Sequence, residues 1–460
     1  MSEGHDSLGN PVSSADSGLL AGIDDFVEGF LRYETRAAGI LKTAAAASDH
    51  ALANAYAGAL FMLLESPEAP VRARPFLRAA KAAAGTANAR EQAFVAFLSA
   101  WVAGDIPKAL KLSEAIVEAW PRDLVAVKLH QYLVFGDGNA PEMLRIALKA
   151  APHCQDVPQM HGMVAFAHEQ CHRLGDAEAA ARRALEMTDR EPWAQHALAH
   201  VMLTQGRIDE GERFMAAAAP TWTDLNSFMV THNWWHLALF RLSQGRVGDV
   251  LDIYDRQCWA HDRDYSQDQI GAVSLLARLE LAEADVGERW FELAERLAAR
   301  ADDVEQPFLS LQYLYGLARV GRPEAEELLD AFRRRAEAAP DFCRPVWANV
   351  ALPTAEGIVA FLSGRPEEAV GHLDRALPNL ARIGGSHAQR DLFDQIRLAA
   401  LTVRGRWAEA QQILELRRGF DPDGVPLNRA LAQAYEALGL PEQAVEAERR
   451  ARGTLERVAG

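Results

Sequence analysis

The stretch Thr204-Gln-Gly-Arg-Ile-Asp-Glu-Gly211 decides the fold. Its first part ends a run of helix-forming residues at Gly206, because glycine takes the left-handed conformation at a helix C-terminus without steric cost. A polar turn follows, and Gly211 then puts a small residue on the next helix, where two neighbouring helices can approach closely. The stretch therefore predicts a hairpin of two helices.

The same pattern of a glycine, a polar turn and a second helix recurs along the chain. The turn glycines are Gly104, Gly138, Gly175, Gly206, Gly245, Gly364, Gly405 and Gly439. Steps between adjacent turns of 31 to 41 residues scatter about the 34-residue period of tetratricopeptide repeats. Strand signals are scarce, whereas Ala, Leu, Glu and Arg occur at helical spacing. We predict an all-α solenoid of tetratricopeptide-like hairpins that curls around a concave central cavity.

The pattern also predicts how the chain is divided. Residues 1–18 are rich in Ser, Gly and Asp and contain no apolar run, so we expect a disordered tail there. Residues 19–460 are expected to form a single solenoid, with degenerate repeats over 19–84 and an irregular helical section at about 252–340. Helices are expected within that section over 270–284, 289–301 and 308–320.

Composition limits the classes of partner. A net charge of −16 and a pI near 5.4 argue against nucleic acid and anionic membranes, which are bound by basic surfaces. No secretory leader is evident, and no stretch approaches the roughly 20 apolar residues of a membrane span. The four cysteines are far apart, as expected for reduced thiols in a cytoplasmic protein. Small molecules, metal ions and proteins remain as partners.

Two pairs of histidines, each spaced four residues apart, are the first candidate site. The pairs are His196 with His200 and His232 with His236, and i,i+4 spacing puts both rings of a pair on one helix face. Counted from the turn glycines, both pairs fall on or beside the groove face of adjacent repeats. Gly162, at an equivalent position one repeat earlier, is expected to leave room for a ligand.

Three interpretations of these histidines stay open. Neighbouring helices lie 8–10 Å apart, so four imidazoles can reach a divalent transition metal such as zinc. The rings could instead form a metal-free polar pocket and act as acid and base, or they could be packing residues that bond to backbone carbonyls. The general-base glutamate of the His-Glu-x-x-His motif is missing, which excludes that zinc protease chemistry.

A second candidate segment is Gly384-Gly-Ser-His-Ala-Gln-Arg-Asp391. Ser386 is a natural N-cap, so His387 and Asp391 should lie one turn apart at the start of a helix. The carboxylate could hold the imidazole in one tautomer, and the backbone amides at that end attract anions. A capped helix with solvated charges is the alternative.

Several of these motifs together resemble the tetratricopeptide repeat protein 38 family. They are Trp193-Ala-Gln-His-Ala-Leu-Ala-His200, His232-Asn-Trp-Trp-His-Leu-Ala-Leu239, Ile253-Tyr-Asp255, Ser274-Leu-Leu-Ala-Arg-Leu279 and Gly384-Gly-Ser-His-Ala-Gln-Arg-Asp391, in order between Pro158 and Pro422. The resemblance implies a defined pocket formed by the four histidines, with the segment from Gln389 nearby. Asp268 matches an acidic position of the family, but Gly271 stands where a second acidic residue is expected, which weakens the case for a carboxylate cluster.

The leading hypothesis is a protein that acts on a small molecule, as a hydrolase or lyase. In it His196, His200, His232 and His236 bind a divalent metal or act directly as acid and base. His387 is a further candidate catalytic residue, Asp268 or Asp391 orients a ring, and Arg390 pairs with an anionic substrate. The alternative is a scaffold that binds a peptide or protein in its concave groove.

Overall fold

The computed structural model describes residues 3–459, which form two compact units. One unit comprises the chain up to Leu198 together with Thr221–Met229, and the other comprises Ala199–Pro220 and the residues from Val230 onwards. The expectation of a single solenoid over 19–460 stays a prediction, since this division describes only how the contacts group along the chain.

The first unit is a series of helical hairpins preceded by a small strand pair. Its elements are β1 (Gly4–His5), β2 (Pro11–Val12), α1 (Ser17–Leu31), α2 (Ile40–Ala46), α3 (Ala51–Met62), α4 (Glu68–Ala83), α5 (Ala89–Val102), α6 (Ile106–Ala119), α7 (Leu124–Gly136), α8 (Ala140–Ala150), α9 (Pro158–Gln170), α10 (Leu174–Met187) and the first half of α11 (Pro192–Thr204). Consecutive helices such as α3 and α4, α5 and α6, and α9 and α10 pack against each other as pairs.

The second unit contains the rest of α11 and the remaining helices. These are α12 (Ile208–Ala218), α13 (Ser227–Ser243, from Val230 in this unit), α14 (Val247–Ile253), α15 (Ser266–Leu281), α16 (Arg289–Leu297), α17 (Pro307–Arg319), α18 (Glu324–Ala338), α19 (Arg344–Val346), α20 (Leu352–Leu362), α21 (Pro366–Ala376), α22 (His387–Val403), α23 (Trp407–Arg418), α24 (Val425–Ala437) and α25 (Pro441–Ala459). Over residues 3–459 the strands are limited to β1 and β2, so the prediction of an all-α helical-repeat fold is confirmed.

The left-handed residues that end the first helix of each hairpin are more evenly spaced along the chain than the turn glycines of the sequence pattern. Residues 104, 138, 172 and 206 all have positive φ, a constant step of 34 residues. The third of these is His172, with φ of 55°, whereas Gly175 lies inside the first turn of α10. The prediction that Gly175 ends a helix is therefore wrong, because histidine is among the residues that tolerate the left-handed region.

The N-terminal segment is ordered over the residues that the structure describes. Arg90, which is buried, forms ion pairs with Asp6 at 3.0 Å and Asp123 at 2.7 Å, and donates to the carbonyl of Pro11. Val12 is fully buried. The expectation of a disordered tail over residues 1–18 is thus wrong from Glu3 onwards, because polar contacts with Arg90, far along the chain, and the burial of Val12 anchor the segment; Met1 and Ser2 lie outside the described residues.

The irregular section after α14 is helical, as its apolar spacing predicts. Helices α15, α16 and α17 lie where they are expected, and two wider π-helical turns occur at Tyr254–Cys258 and Trp347–Ala351. One continuous stretch, Arg344–Leu362, is long and apolar enough to cross a membrane by length and composition alone. Many of its side chains, including Trp347 and Ile358, are buried within the second unit, as in a core helix.

The last helices of the second unit return to its first hairpins. Arg457 on α25 forms an ion pair with Asp209 on α12 at 3.0 Å, and Ser243 at the end of α13 donates to Asp421 at 2.7 Å. The turn glycine Gly206 lies so close to the carbonyl of Phe420 that an added Cβ would come within 2.9 Å of it. These contacts explain how α22, late in the chain, reaches side chains on α11.

Candidate metal centre

Three histidines of the second unit come together on α11 and α13. One nitrogen from each of His200, His232 and His236 lies within 4.8 Å of the corresponding nitrogens of the other two. The ring centroids of His200 and His236 are 4.5 Å apart, and those of His232 and His236 are 4.9 Å apart. The i,i+4 pair on α13 therefore meets a histidine from α11, the first helix of the preceding hairpin, which is the arrangement that the repeat numbering predicts for these three.

Burial keeps this cluster in a form that suits metal binding. His200 and His236 are fully buried, whereas His232 is partly exposed. Burial lowers the pKa of His232 to about 3, so its ring is neutral at physiological pH. Neutral imidazole is the form that donates a nitrogen lone pair to a transition metal.

His196 lies one turn before His200 on α11, in the part of that helix that belongs to the first unit. Its ring stacks on Trp193 with centroids 4.4 Å apart and lies 5.0 Å from Phe166. Within the first unit, the surroundings of His196 are thus aromatic.

His387, the first residue of α22, contacts the cluster through His200. Their ring centroids are 5.4 Å apart and the rings are almost perpendicular. The start of α22 is fixed by a capping box in which Ser386 accepts from the Gln389 amide and the Gln389 side chain accepts from the Ser386 amide. The amide of Gln389 is therefore not available to the anion that the sequence led us to expect at this helix end.

Arg278 on α15 is a site residue that sequence reasoning missed. Its guanidinium is buried, lies 5.3 Å from the Trp235 ring, and donates to the carbonyls of Ala388 at 2.8 Å and Gln389 at 3.2 Å. Burial lowers the pKa of Arg278 to about 10, well within the range where it stays charged. A lone arginine in the apolar run after Ala272 is the sequence signal that could have identified it.

Asp391 has a different role from the one predicted. Its carboxylate accepts a pair of hydrogen bonds from Arg417, at 2.5 and 2.9 Å, and a third from Gln395. Burial alone would raise the pKa of Asp391, but the Arg417 charge outweighs it and holds that pKa well below its usual range. Among the described residues, His387 is not a hydrogen-bond partner of this carboxylate, because both of its oxygens face Arg417.

Asp394 lies one turn further along α22. Its side chain is exposed, yet burial first and the charge of Asp391 second raise the pKa of Asp394 to about 6. His387, Asp391 and Asp394 are spaced by four and three residues, so one face of α22 carries all three.

The other predicted site residues bond to their local surroundings. Arg390 donates to the backbone carbonyls of Gly384 and Gly385 in the loop before α22. Asp268 is buried and accepts from the hydroxyl of Thr231 at 3.2 Å, next to His232 in sequence. Asp268 thus fixes the helix that carries two of the histidines.

The room expected at Gly162, in the first unit, is already filled. An added Cβ there would lie 2.7 Å from a carboxylate oxygen of Glu191, which is fully buried. The prediction of a ligand space at Gly162 is wrong, because the small residue accommodates the Glu191 side chain.

Comparisons with known proteins give distant likenesses. No family model matches the chain. Solved structures that are similar include a human IFIT1 dimer with PPP-AAAA, at 14% identity over 95% of both chains and a TM-score of 0.42. The P58(IPK) TPR domain is 13% identical over 80% of this chain and 97% of its own, with a TM-score of 0.23. The APC/C hetero-tetramer Cut9-Hcn1 is 11% identical over 96% of both chains, with a TM-score of 0.32. At such values, fold and site rest on the geometry of the chain itself.

Proposed function

We propose that this chain is a tetratricopeptide-like helical-repeat protein whose second unit binds a divalent transition metal ion through His200, His232 and His236. The observation that carries the proposal is the convergence of one nitrogen from each ring to within 4.8 Å. Membership of the tetratricopeptide repeat protein 38 family, on the motifs between Pro158 and Pro422, is part of this proposal.

The donor set favours zinc or a similar ion. Three imidazole nitrogens suit zinc, copper, nickel and iron, whereas magnesium and calcium prefer oxygen. The chemistry that such a centre can support is that of a hydrolase or lyase, in which the ion activates water or polarises an oxygen of a small anionic molecule.

The first experiment is metal analysis of protein purified without a histidine tag, followed by titration of the apoprotein with Zn²⁺. We expect one ion per chain, and we expect His236→Ala to weaken Zn²⁺ binding by about 100-fold or more, because it removes one of three donors. His372→Ala is the matched control, since that histidine pairs with Glu356 on the surface of α20 and α21. Wild-type protein that takes up no stoichiometric ion would refute the proposal.

A scaffold function is the second candidate, and exposed apolar side chains favour it. Val403, Leu416, Phe420 and Val445 are each more than half exposed, and all lie in the last hairpins. Where exposed apolar side chains form a contiguous patch, they mark a surface that binds other proteins. A peptide or protein partner is the class that fits them.

The scaffold candidate is tested by selecting peptides from a displayed library against wild-type protein and a Leu416→Ser, Phe420→Ser double variant. Sequences enriched by the wild type alone would support a docking surface on these hairpins. Equal enrichment by both proteins would count against it.

A further inference from the structure

We propose that His387 is the outer-shell partner of the metal ligand His200, and that it sets which ring nitrogen His200 presents to the ion. The assignment rests on the metal centre proposed above and gives that centre a positioning residue on a helix far along the chain. It differs from the sequence-based hypothesis, in which His387 is itself held by Asp391.

The first step is the chemistry of a histidine ligand. An imidazole has two nitrogens, and when one binds a metal the other carries a proton and donates it to an acceptor in the surrounding protein. That second contact fixes the tautomer and the ring orientation. His200 is fully buried, so its second nitrogen needs a partner supplied by the protein.

The second step is the position of His387. Among the described residues, a candidate ligand atom of His387 lies within 4.8 Å of one of His200. His387 does not belong to the group that His200 forms with His232 and His236. The His200 and His387 rings meet at 72° with centroids 5.4 Å apart, so an edge of one ring faces the other. Because His387 is grouped with His200 but not with His232 and His236, we assign it to His200 and not to the ion that the three histidines share.

The third step is that His387 is held in place from two sides. The Ser386 and Gln389 capping box fixes the first turn of α22, and Arg278 bonds to the carbonyls of the two residues that follow His387. Arg278 also packs on Trp235, whose ring lies 4.9 Å from His236. One guanidinium thus ties the helix that presents His387 to the helix that carries two of the ligands.

The experiment measures the affinity and the visible spectrum of the Co²⁺-substituted protein for wild type, His387→Ala and His387→Asn. We expect His387→Ala to weaken Co²⁺ binding by about 10- to 100-fold, the usual effect of losing an outer-shell partner. Its absorption bands should keep the wild-type positions and intensities, because the donor set is unchanged. His387→Asn should recover part of the affinity, since its amide oxygen can accept the same proton. His372→Ala is again the control.

Two results would overturn the assignment while leaving the metal centre intact. Equal affinities of wild type and His387→Ala would show that His200 does not depend on His387. A shift of the Co²⁺ bands in His387→Ala would make His387 a direct ligand. A wild-type protein that binds no Co²⁺ would instead refute the metal centre, and the assignment with it. Far-ultraviolet circular dichroism of each variant separates lost folding from lost binding.

Discussion

Replacing Glu191 by glutamine should stabilise the first unit at alkaline pH. Glu191 is fully buried at the start of α11, where one carboxylate oxygen accepts from the Ala194 amide and the other has no hydrogen-bond partner among the described residues. Burial raises the pKa of Glu191 to about 8, against an ordinary value of 4.5. The folded protein therefore holds this proton more tightly than the unfolded chain does.

The sign of the pH dependence follows from that order of pKa values. Below about pH 4.5 the carboxyl is protonated in both states and contributes nothing. Between there and pH 8 the unfolded chain ionises and the folded one does not, so stability falls by about 1.4 kcal/mol per pH unit. Above pH 8 the loss is complete, at roughly 5 kcal/mol as an upper limit.

The amide of Glu191→Gln cannot ionise, so this loss should disappear. Its oxygen can still accept from the Ala194 amide, while its NH₂ group adds a buried donor that offsets part of the gain. We expect the variant and the wild type to have similar urea midpoints near pH 5 and the variant to be more stable by about 2 to 4 kcal/mol near pH 8.5.

Lys128 needs to be considered because its charge is close to Glu191. Burial lowers the pKa of Lys128, so this lysine contributes a dependence on pH of the opposite sign. The difference between variant and wild type at each pH separates the two effects. Glu118→Gln, which removes an exposed partner of Lys149, is the matched control and should leave the slope unchanged. Parallel pH profiles for Glu191→Gln and wild type would refute the reasoning.

Three further predictions concern packing and ion pairs. Gly211→Ala should lower the urea midpoint by the equivalent of about 1 to 3 kcal/mol, because its Cβ would lie 2.3 Å from the Phe240 ring; an unchanged midpoint would contradict this contact. Arg90→Met should cost about 3 to 5 kcal/mol, because it leaves two buried aspartates unpaired, and hydrogen exchange should then show faster exchange before α1. Asp391→Asn should remove about 1 kcal/mol above pH 5 and progressively less as the pH falls below the ordinary value of 3.8 towards the depressed pKa of Asp391, since the Arg417 pair is about a third exposed and contributes only while the carboxylate is ionised; a difference that does not shrink as the solution is acidified would point to packing instead.

The hairpin fold could be predicted because it depends on local chemistry that repeats. A left-handed turn residue and small residues on the next helix are visible in any single repeat. The error at Gly175 arose because the pattern was followed by residue type, whereas the backbone repeats by position and uses His172 in the third turn. A fixed step of 34 residues from Gly104 would have identified it.

The N-terminal segment could not be read from its composition. Segments rich in Ser, Gly and Asp usually have too little apolar surface to offset the conformational entropy that is lost when a chain becomes ordered. Here the deciding contact is the guanidinium of Arg90, which lies many residues away and needs Asp6 as a partner. A buried charge elsewhere in the fold can thus order a segment whose own sequence favours disorder.

Some residues of the candidate site are placed by local spacing, and others by packing between distant parts of the chain. His232 and His236 share a face of one helix by spacing alone, and His200 joins them because adjacent repeats present equivalent faces. The place of His387 depends on how the last hairpins of the second unit pack onto its first ones, through pairs such as Arg457 with Asp209. No spacing rule contains that information.

The long-range contacts also decide which polar residue belongs to the centre. Asp391 lies one helical turn from His387, so spacing favoured it as the partner that orients the ring. Arg417, from the next helix, forms two hydrogen bonds with that carboxylate, whereas a histidine could form one. Because the stronger partner holds the carboxylate, the ring of His387 is left to interact with His200. Arg278 contacts the start of α22 in a way that no aspartate could, because its guanidinium donates to the carbonyls of Ala388 and Gln389, whereas a carboxylate only accepts.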